Sequence, residues 1–357
     1  MTRIYAAMQD SLVIANGQGD RWVLDTKLDG WPVYALAVDP IQPERVYCAT
    51  MGKGMLRSDD AGNTWNPVGE GIKSNVIMSV TVSPAEHNGK YSVVWAGTEP
   101  SALYRSEDGG DTWQERPTLL DLPSKPTWSY PPKPDTHHVR WIQPDSQVPG
   151  RLFVAIEQGG IMRTLDGGLT WEDRKSGAQR DGHTLRAHKL APGRIYEAAG
   201  GEDPQFREDQ QGRYVVMTGG GYAETHDGGS TWETITNGLE RHHYFYGMAV
   251  DPADPDTMVA SLALGPEQAH RPPTADSYIY RRTGNGPWQM VTEGLSDSKG
   301  TLIFSLEANA SEPGVFYGVT NKGIFRSADA GRSWKALDVN WPERYRRSHA
   351  RGVQVVG

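Results

Sequence analysis

Imidazole, guanidinium and carboxylate groups recur in this chain just upstream of one kind of segment, a short apolar run that ends in proline. Three such runs are His138 to Pro144, Arg186 to Pro192 and Tyr246 to Pro252. Aligned on the closing proline, they put Asp135, His183 and His243 at one equivalent position, with His137, His138 and His242 beside them. Imidazoles converging with a carboxylate suit a divalent transition ion, with His137, His183 and His243 as its ligands. They suit acid–base catalysis equally, because imidazole titrates near neutrality, and they also suit hydrogen bonding to neighbouring carbonyls. In the catalytic reading the reactive groups are His137, His138, His183, His243, Asp135 and Glu157. His188 lies inside its run and reads as a packing residue.

Arginines add a second signal. Arg140, Arg180, Arg186, Arg241, Arg344, Arg346, Arg347 and Arg351 lie in or just before the same kind of segment. A local basic mouth would focus anions, with Arg140 and Arg186 as clamps and Arg241 and His349 nearby. Solvation, or pairing with neighbouring carboxylates, is the plain alternative. Trp31, Trp128, Tyr130, Tyr244 and Tyr246 flank the region, where they would stack on a sugar ring or fill core.

The elements that position these groups are repeats. Ser or Thr, any residue, Asp, any, Gly, any, Thr or Ser, Trp occurs intact with Trp65, Trp113, Trp171, Trp232 and Trp334 as its last residue, and in degenerate form before Trp22 and Trp288. In this octet the Asp and Ser/Thr oxygens accept from backbone N–H groups and Gly supplies a positive φ, the chemistry of a hairpin turn. Between octets an apolar strand runs into a Pro turn and a second strand, as in Tyr34 to Pro40 followed by Val46 to Ala49. Each unit then reads as four antiparallel strands A to D, the content of a propeller blade.

Seven units predict an all-β, seven-bladed propeller in a single domain. The blades are expected over about 31–72, 73–120, 121–180, 181–240, 241–297 and 298–349, with residues 1–30 completed by 350–357. The chain opens on a B-like strand, Ile4 to Met8, so Gly352 to Val356 is expected to become the innermost strand of the first blade, leaving no open edge. Strand order sends A–B turns and octets to one face, and B–C loops and D–A linkers to the other. The second face receives the irregular segments Arg116 to Asp135, Gly200 to Gly212 and Gly265 to Asp276, together with Glu157 and the histidines. Variable loops on a rigid scaffold are where binding usually lives.

The octets resemble the Asp-box (bacterial neuraminidase repeat) family across nearly the whole chain. That resemblance implies a propeller, and it points towards sialidases, xyloglucan hydrolases, sortilin-like receptors or the photosystem II assembly factor. Sialidases of this kind carry an arginine in a Phe/Tyr-Arg-Ile-Pro segment, and Arg3-Ile4-Tyr5 lacks the proline. The assembly factor is similar in length and blade count and implies a non-catalytic scaffold that grips a partner protein.

Composition narrows the partners. A net charge of −8 argues against a general nucleic-acid binder, and no apolar stretch is long enough to span a bilayer. A single cysteine, Cys48, allows no intrachain disulfide, and with no leader-like start the expected setting is the cytoplasm. The favoured reading is a monomeric hydrolase or lyase acting on an anionic small molecule or saccharide, with or without a divalent metal.

Overall fold

The computed structural model describes every residue except 131, 134, 201–204, 209–213 and 218–220, and for 205–208 and 214–217 the strand pairing alone is considered. Much of the expected insertion Gly200 to Gly212 lies outside the described residues. No helix among the described residues is long and apolar enough to cross a membrane.

The chain forms a seven-bladed propeller. The first blade is ordered Ala350–Val356, Thr2–Met8, Ser11–Gln18, Arg21–Lys27 from channel to rim, so the C-terminal strand is innermost. The second runs Val33–Val38, Val46–Thr50, Met55–Ser58, Asn66–Val68, and the third Ile77–Asn88, Tyr91–Thr98, Leu103–Ser106, Gln114–Glu115. In the fourth, Val139–Pro144, Leu152–Ile156 and Gly160–Thr164 are followed by a single bridge, Arg163 to Glu172, in place of an outer strand. The fifth comprises Gly182–His188, Ala191–Ala199, Tyr222–Thr225 and Glu233–Thr234, with the hairpin Gln205–Glu208 and Tyr214–Met217 inserted in its B–C loop. The sixth comprises Tyr244–Asp251, Asp254–Ala263, Ser277–Thr283 and Gln289–Val291, and the seventh Ser305–Ala308, Phe316–Thr320, Gly323–Ser327 and Lys335–Ala336. Innermost strands contact their neighbours in a closed circle, from Ala350–Val356 through Ser305–Ala308 and back.

The octets make the C–D turns. In the second blade the Ser58 hydroxyl donates to Asp60 at 2.7 Å, the Gly62 N–H donates to Ser58 Oγ at 2.8 Å, and Thr64 donates from both its N–H and its hydroxyl to the Asp60 carboxylate. The same hydroxyl-to-carboxylate bond recurs at Asp108, Asp166, Asp227 and Asp329. These bonds favour the ionised form and hold the Asp60 carboxyl at about 2. Gly62 has φ 88°, and an added Cβ would lie 2.6 Å from Ile14 of the first blade, so glycine here serves both the turn and the blade seam. The tryptophan of each of the seven octets, intact or degenerate, stands at the start of an outermost strand or bridge.

Core lies between blades. Tyr5, Ala7 and Ile14 of the first blade pack with Val33, Val46, Cys48 and Leu56 of the second, and each later seam repeats that layering. Arg186 sews the channel wall. Its Nε donates to the Met248 carbonyl at 2.9 Å, its Nη2 reaches the Leu306 carbonyl and Glu307 at 3.1 and 2.9 Å, and its guanidinium lies 5.3 Å from the Trp141 ring centroid. It thus ties the fourth to seventh blades together and is engaged as a strut, not held free as the expected anion clamp.

Candidate functional site

Six of the seven innermost strands share an irregularity at their loop-rich end. In the second blade Val33 pairs with Thr50 and Ala35 with Ala49, so Tyr34 is an extra residue. The third blade skips Met78, the fourth Arg140 and the fifth His183 in the same way. The first skips Arg351, and in the sixth the ladder passes from Phe245 to Met248 across Tyr246 and Gly247. Such β-bulges re-aim a side chain and are common beside active sites. Six of the seven blades carry such a bulge, the seventh pairing without a break, and five of them bring Tyr34, Arg140, His183, Tyr246 and Arg351 to one end of the channel, on the face opposite the octet turns.

Two carboxylates complete the group. Glu157 follows the last residue of Leu152–Ile156, and Asp181 precedes the first of Gly182–His188. One ligand atom each of Glu157, Asp181 and His183 lies within 4.8 Å of the others. His183 Nδ1 is 2.6 Å from the Phe245 carbonyl, which can only accept, so Nδ1 carries hydrogen. In the neutral ring Nε2 is then a bare lone pair, 3.5 Å from Asp181 Oδ2. Asp181 is 8% exposed, and its Oδ1 has no hydrogen-bond partner among the described residues.

His138, fully buried, stands behind Glu157. Its Nε2 is 2.9 Å from Glu157 Oε2 and its Nδ1 3.6 Å from Glu99 Oε2, while Lys133 Nζ holds the other Glu99 oxygen at 2.9 Å. Arg140 Nε is 3.8 Å from Glu157 Oε2. Burial pushes the Glu157 carboxyl up, but the His138 hydrogen bond and the charges of His138, His183 and Arg140 outweigh it and hold it at about 2. Burial lifts Asp181 to about 6 against the pull of His183 and Arg140, with the Glu157 charge adding to the rise. Neighbouring carboxylates of opposite habit result.

The other wall is aromatic. The Tyr244 hydroxyl lies 2.8 Å from His270 Nε2, and His270 Nδ1 lies 2.8 Å from His349 Nε2. Burial depresses both imidazoles, His270 to about 3 and His349 well below its ordinary value, so this chain is uncharged at neutral pH. The Tyr246 ring sits within 5.3 Å of His183, His270 and His349.

Of the residues singled out in the sequence, His138, Glu157, Arg140, His183, Tyr244, Tyr246, His349 and Arg351 meet here, with Tyr130 4.7 Å from His138. His137 packs edge-on to Trp128 at 5.4 Å, Asp135 and Arg241 are exposed, and His243 is half-buried. Neither His137 nor His243 shares the ligand group of His183 among the described residues, so the expected three-histidine site does not assemble. Trp31 lies in the second blade under Lys53, 4.5 Å from its ring. The closing proline is an unequal ruler. The residue paired with the last residue of strand B is Val139, five before Pro144, but Gly182, ten before Pro192. True register therefore sets His183 against Arg140, not Asp135. Tyr34, Glu99, Asp181 and His270 carried no motif of their own; only the flagged loop Gly265 to Asp276, which folds into the short helix Pro266–His270, pointed to one of them.

Comparison with known proteins is consistent with this architecture. No family model matches the chain. It is 28% identical over 319 residues to the xyloglucanase Xgh74A of Acetivibrio thermocellus, a match covering 78% of this chain and 34% of that protein. A xyloglucanase of Paenibacillus sp. is 27% identical over 190 residues, 44% of this chain and 18% of that one. The chain thus spans about a third or less of the xyloglucanases it matches. Among solved structures, an ancestral GH74 enzyme superposes with a TM-score of 0.63 at 17% identity, covering 85% of this chain and 38% of that one. YCF48 bound to a D1 peptide gives 0.55 at 14% identity, covering 90% and 92%. At these identities the structural likenesses establish the fold alone.

Proposed function

We propose that this protein is a hydrolase acting on a saccharide at the bulge-lined end of its channel. The observation that carries the reading is the carboxylate pair, Glu157 held ionised and Asp181 held protonated up to about pH 6, within 4.8 Å around His183. Environments that drive two neighbouring carboxyls apart in acidity assign an acid and a base. Asp181 would protonate the leaving glycosidic oxygen as the C–O bond breaks, Glu157 would stabilise the positive charge at the anomeric carbon, and water would add to that carbon and return its proton to Asp181. The sequence match to xyloglucanases supports a saccharide as substrate.

The test is hydrolysis of a panel of neutral and acidic oligosaccharides by wild type, D181N and E157Q. Either substitution should lower kcat by about 10²–10⁴. An inert wild type, or full turnover by D181N, would overturn the reading.

A metal-assisted version has its own support in His183 Nε2, which offers a lone pair when the ring is neutral, and in Asp181 Oδ1, unpaired among the described residues. Glu157, Asp181 and His183 would then hold a divalent ion, and Asp181 would be a ligand, not the proton donor. Stoichiometric metal in the purified protein, lost in H183A, together with activity abolished by a chelator, would select this version. Activity that survives chelation selects the metal-free one.

A further inference from the structure

Resting on the saccharide reading, we infer that the sugar is acidic, with the carboxylate of a uronic acid residue bound between Arg140 and Arg351. These guanidiniums come from the fourth and first blades and both approach the Tyr34 ring. Arg140 lies 5.8 Å from the Tyr34 centroid and 5.0 Å from that of Tyr246, and Arg351 lies 5.6 Å from Tyr34.

Their charge is under-compensated. The carboxylate paired with Arg140 is Glu157, at 3.8 Å, and that same oxygen already receives His138 at 2.9 Å. Arg140 is 4% exposed, yet its guanidinium makes no hydrogen bond to another described residue. Arg351 is half-buried and has no carboxylate within 4 Å among the described residues. A buried cation without a partner is costly, and that cost is relieved when an anion arrives. The Tyr34 ring, within 6 Å of both guanidiniums, holds the two charges at one place by cation–π contact.

Geometry selects the class of anion. A planar guanidinium fork matches a carboxylate bidentately. Glu157 lies beside Arg140 and within 4.8 Å of Asp181, so a pyranose whose carboxylate meets the arginines would lay its ring towards the carboxylate pair. A neutral sugar would leave Arg140 with only its long contact to Glu157 and Arg351 with no carboxylate, and a site built to bind a polar group discriminates strongly against a ligand lacking it.

The test is calorimetric binding to the full chain of a digalacturonate, the neutral galactose disaccharide and inorganic sulfate, with D181N used to prevent turnover. The digalacturonate should bind at least tenfold more tightly than the neutral sugar. R351Q should erase that preference, R351K should recover part of it, and the exposed R21Q should leave it intact. Melting curves establish that each variant is folded, and the wild-type comparison stands if one is not. Equal affinity for neutral and acidic sugars overturns the inference while leaving the saccharide reading standing. Sulfate competing as well as the digalacturonate shows an anion site without sugar recognition and also overturns it. Failure of every sugar to bind removes both readings.

Discussion

Asp181 and Glu157 carry the same functional group and are pushed in opposite directions by what surrounds them. Burial raises Asp181, and the Glu157 charge beside it adds to the rise, whereas at Glu157 the same burial is outweighed by the His138 hydrogen bond and the neighbouring positive charges. If Asp181 is the proton donor, activity is greatest with Asp181 protonated and Glu157 ionised. kcat/KM should therefore be level from about pH 3 to 5 and fall as pH rises through about 6, with the acid limb near 2. A limb near 4 with none at 6 would remove Asp181 from that role. Arg186 makes a separate case at this scale. Removing its side chain strands Glu307, whose carboxyl burial already raises, and frees two carbonyls of neighbouring blades. Arg186→Ala should cost about 2–4 kcal/mol in denaturant unfolding while leaving saccharide affinity near wild type.

At the scale of elements, the bulge is the device that separates scaffold from site. Met78 occupies the same structural position as Arg140 and His183 but offers only an apolar side chain, 3% exposed. Deleting Met78 should force the strand into unbroken register, and a one-residue slip turns its neighbours to the opposite face. The deletion is expected to lower stability by at least about 2 kcal/mol more than Met78→Ala in thermal or chemical melts. Equal losses would mean the bulge is incidental. This device also explains what could be read from the chain in advance. The octet turns were legible because every partner in them, from Ser58 to Trp65, lies within one short window. The site was legible only in part, because its register is set by pairing across strands. A bulge leaves no composition mark, and proline-ended turns of unequal length disguised the equivalence of Arg140 with His183. His270 was hidden for a different reason, reaching the site from an inserted helix of the sixth blade.

Across the whole molecule, ring closure depends on the pairing of Ala350–Val356 with Thr2–Met8. That strand also supplies Arg351 to the site, seats Val353 in the seam of the first and seventh blades, and follows His349, which bonds to His270 of the sixth. Removing residues 350–357 should therefore abolish saccharide binding and destabilise the entire ring, with a lower midpoint at every probe. A truncated protein that melts like the parent would show that closure is not what holds the circle together.

The register of that clasp has a mechanical consequence. Arg3 lies opposite Val356 and Met8 opposite Ala350, so both chain ends emerge at the same edge of one antiparallel pair. Tension applied between residues 2 and 356 is directed across the ladder, loading its hydrogen bonds one after another instead of all at once. The ring should yield by unzipping at low force at this seam, and the blades should then peel off in order. A tether placed across any other blade pair would pull against continuous chain. Optical-trap extension from the two ends should show a first, small rip matching release of the clasp; a single full-length rip at high force would mean that the clasp shears as a unit.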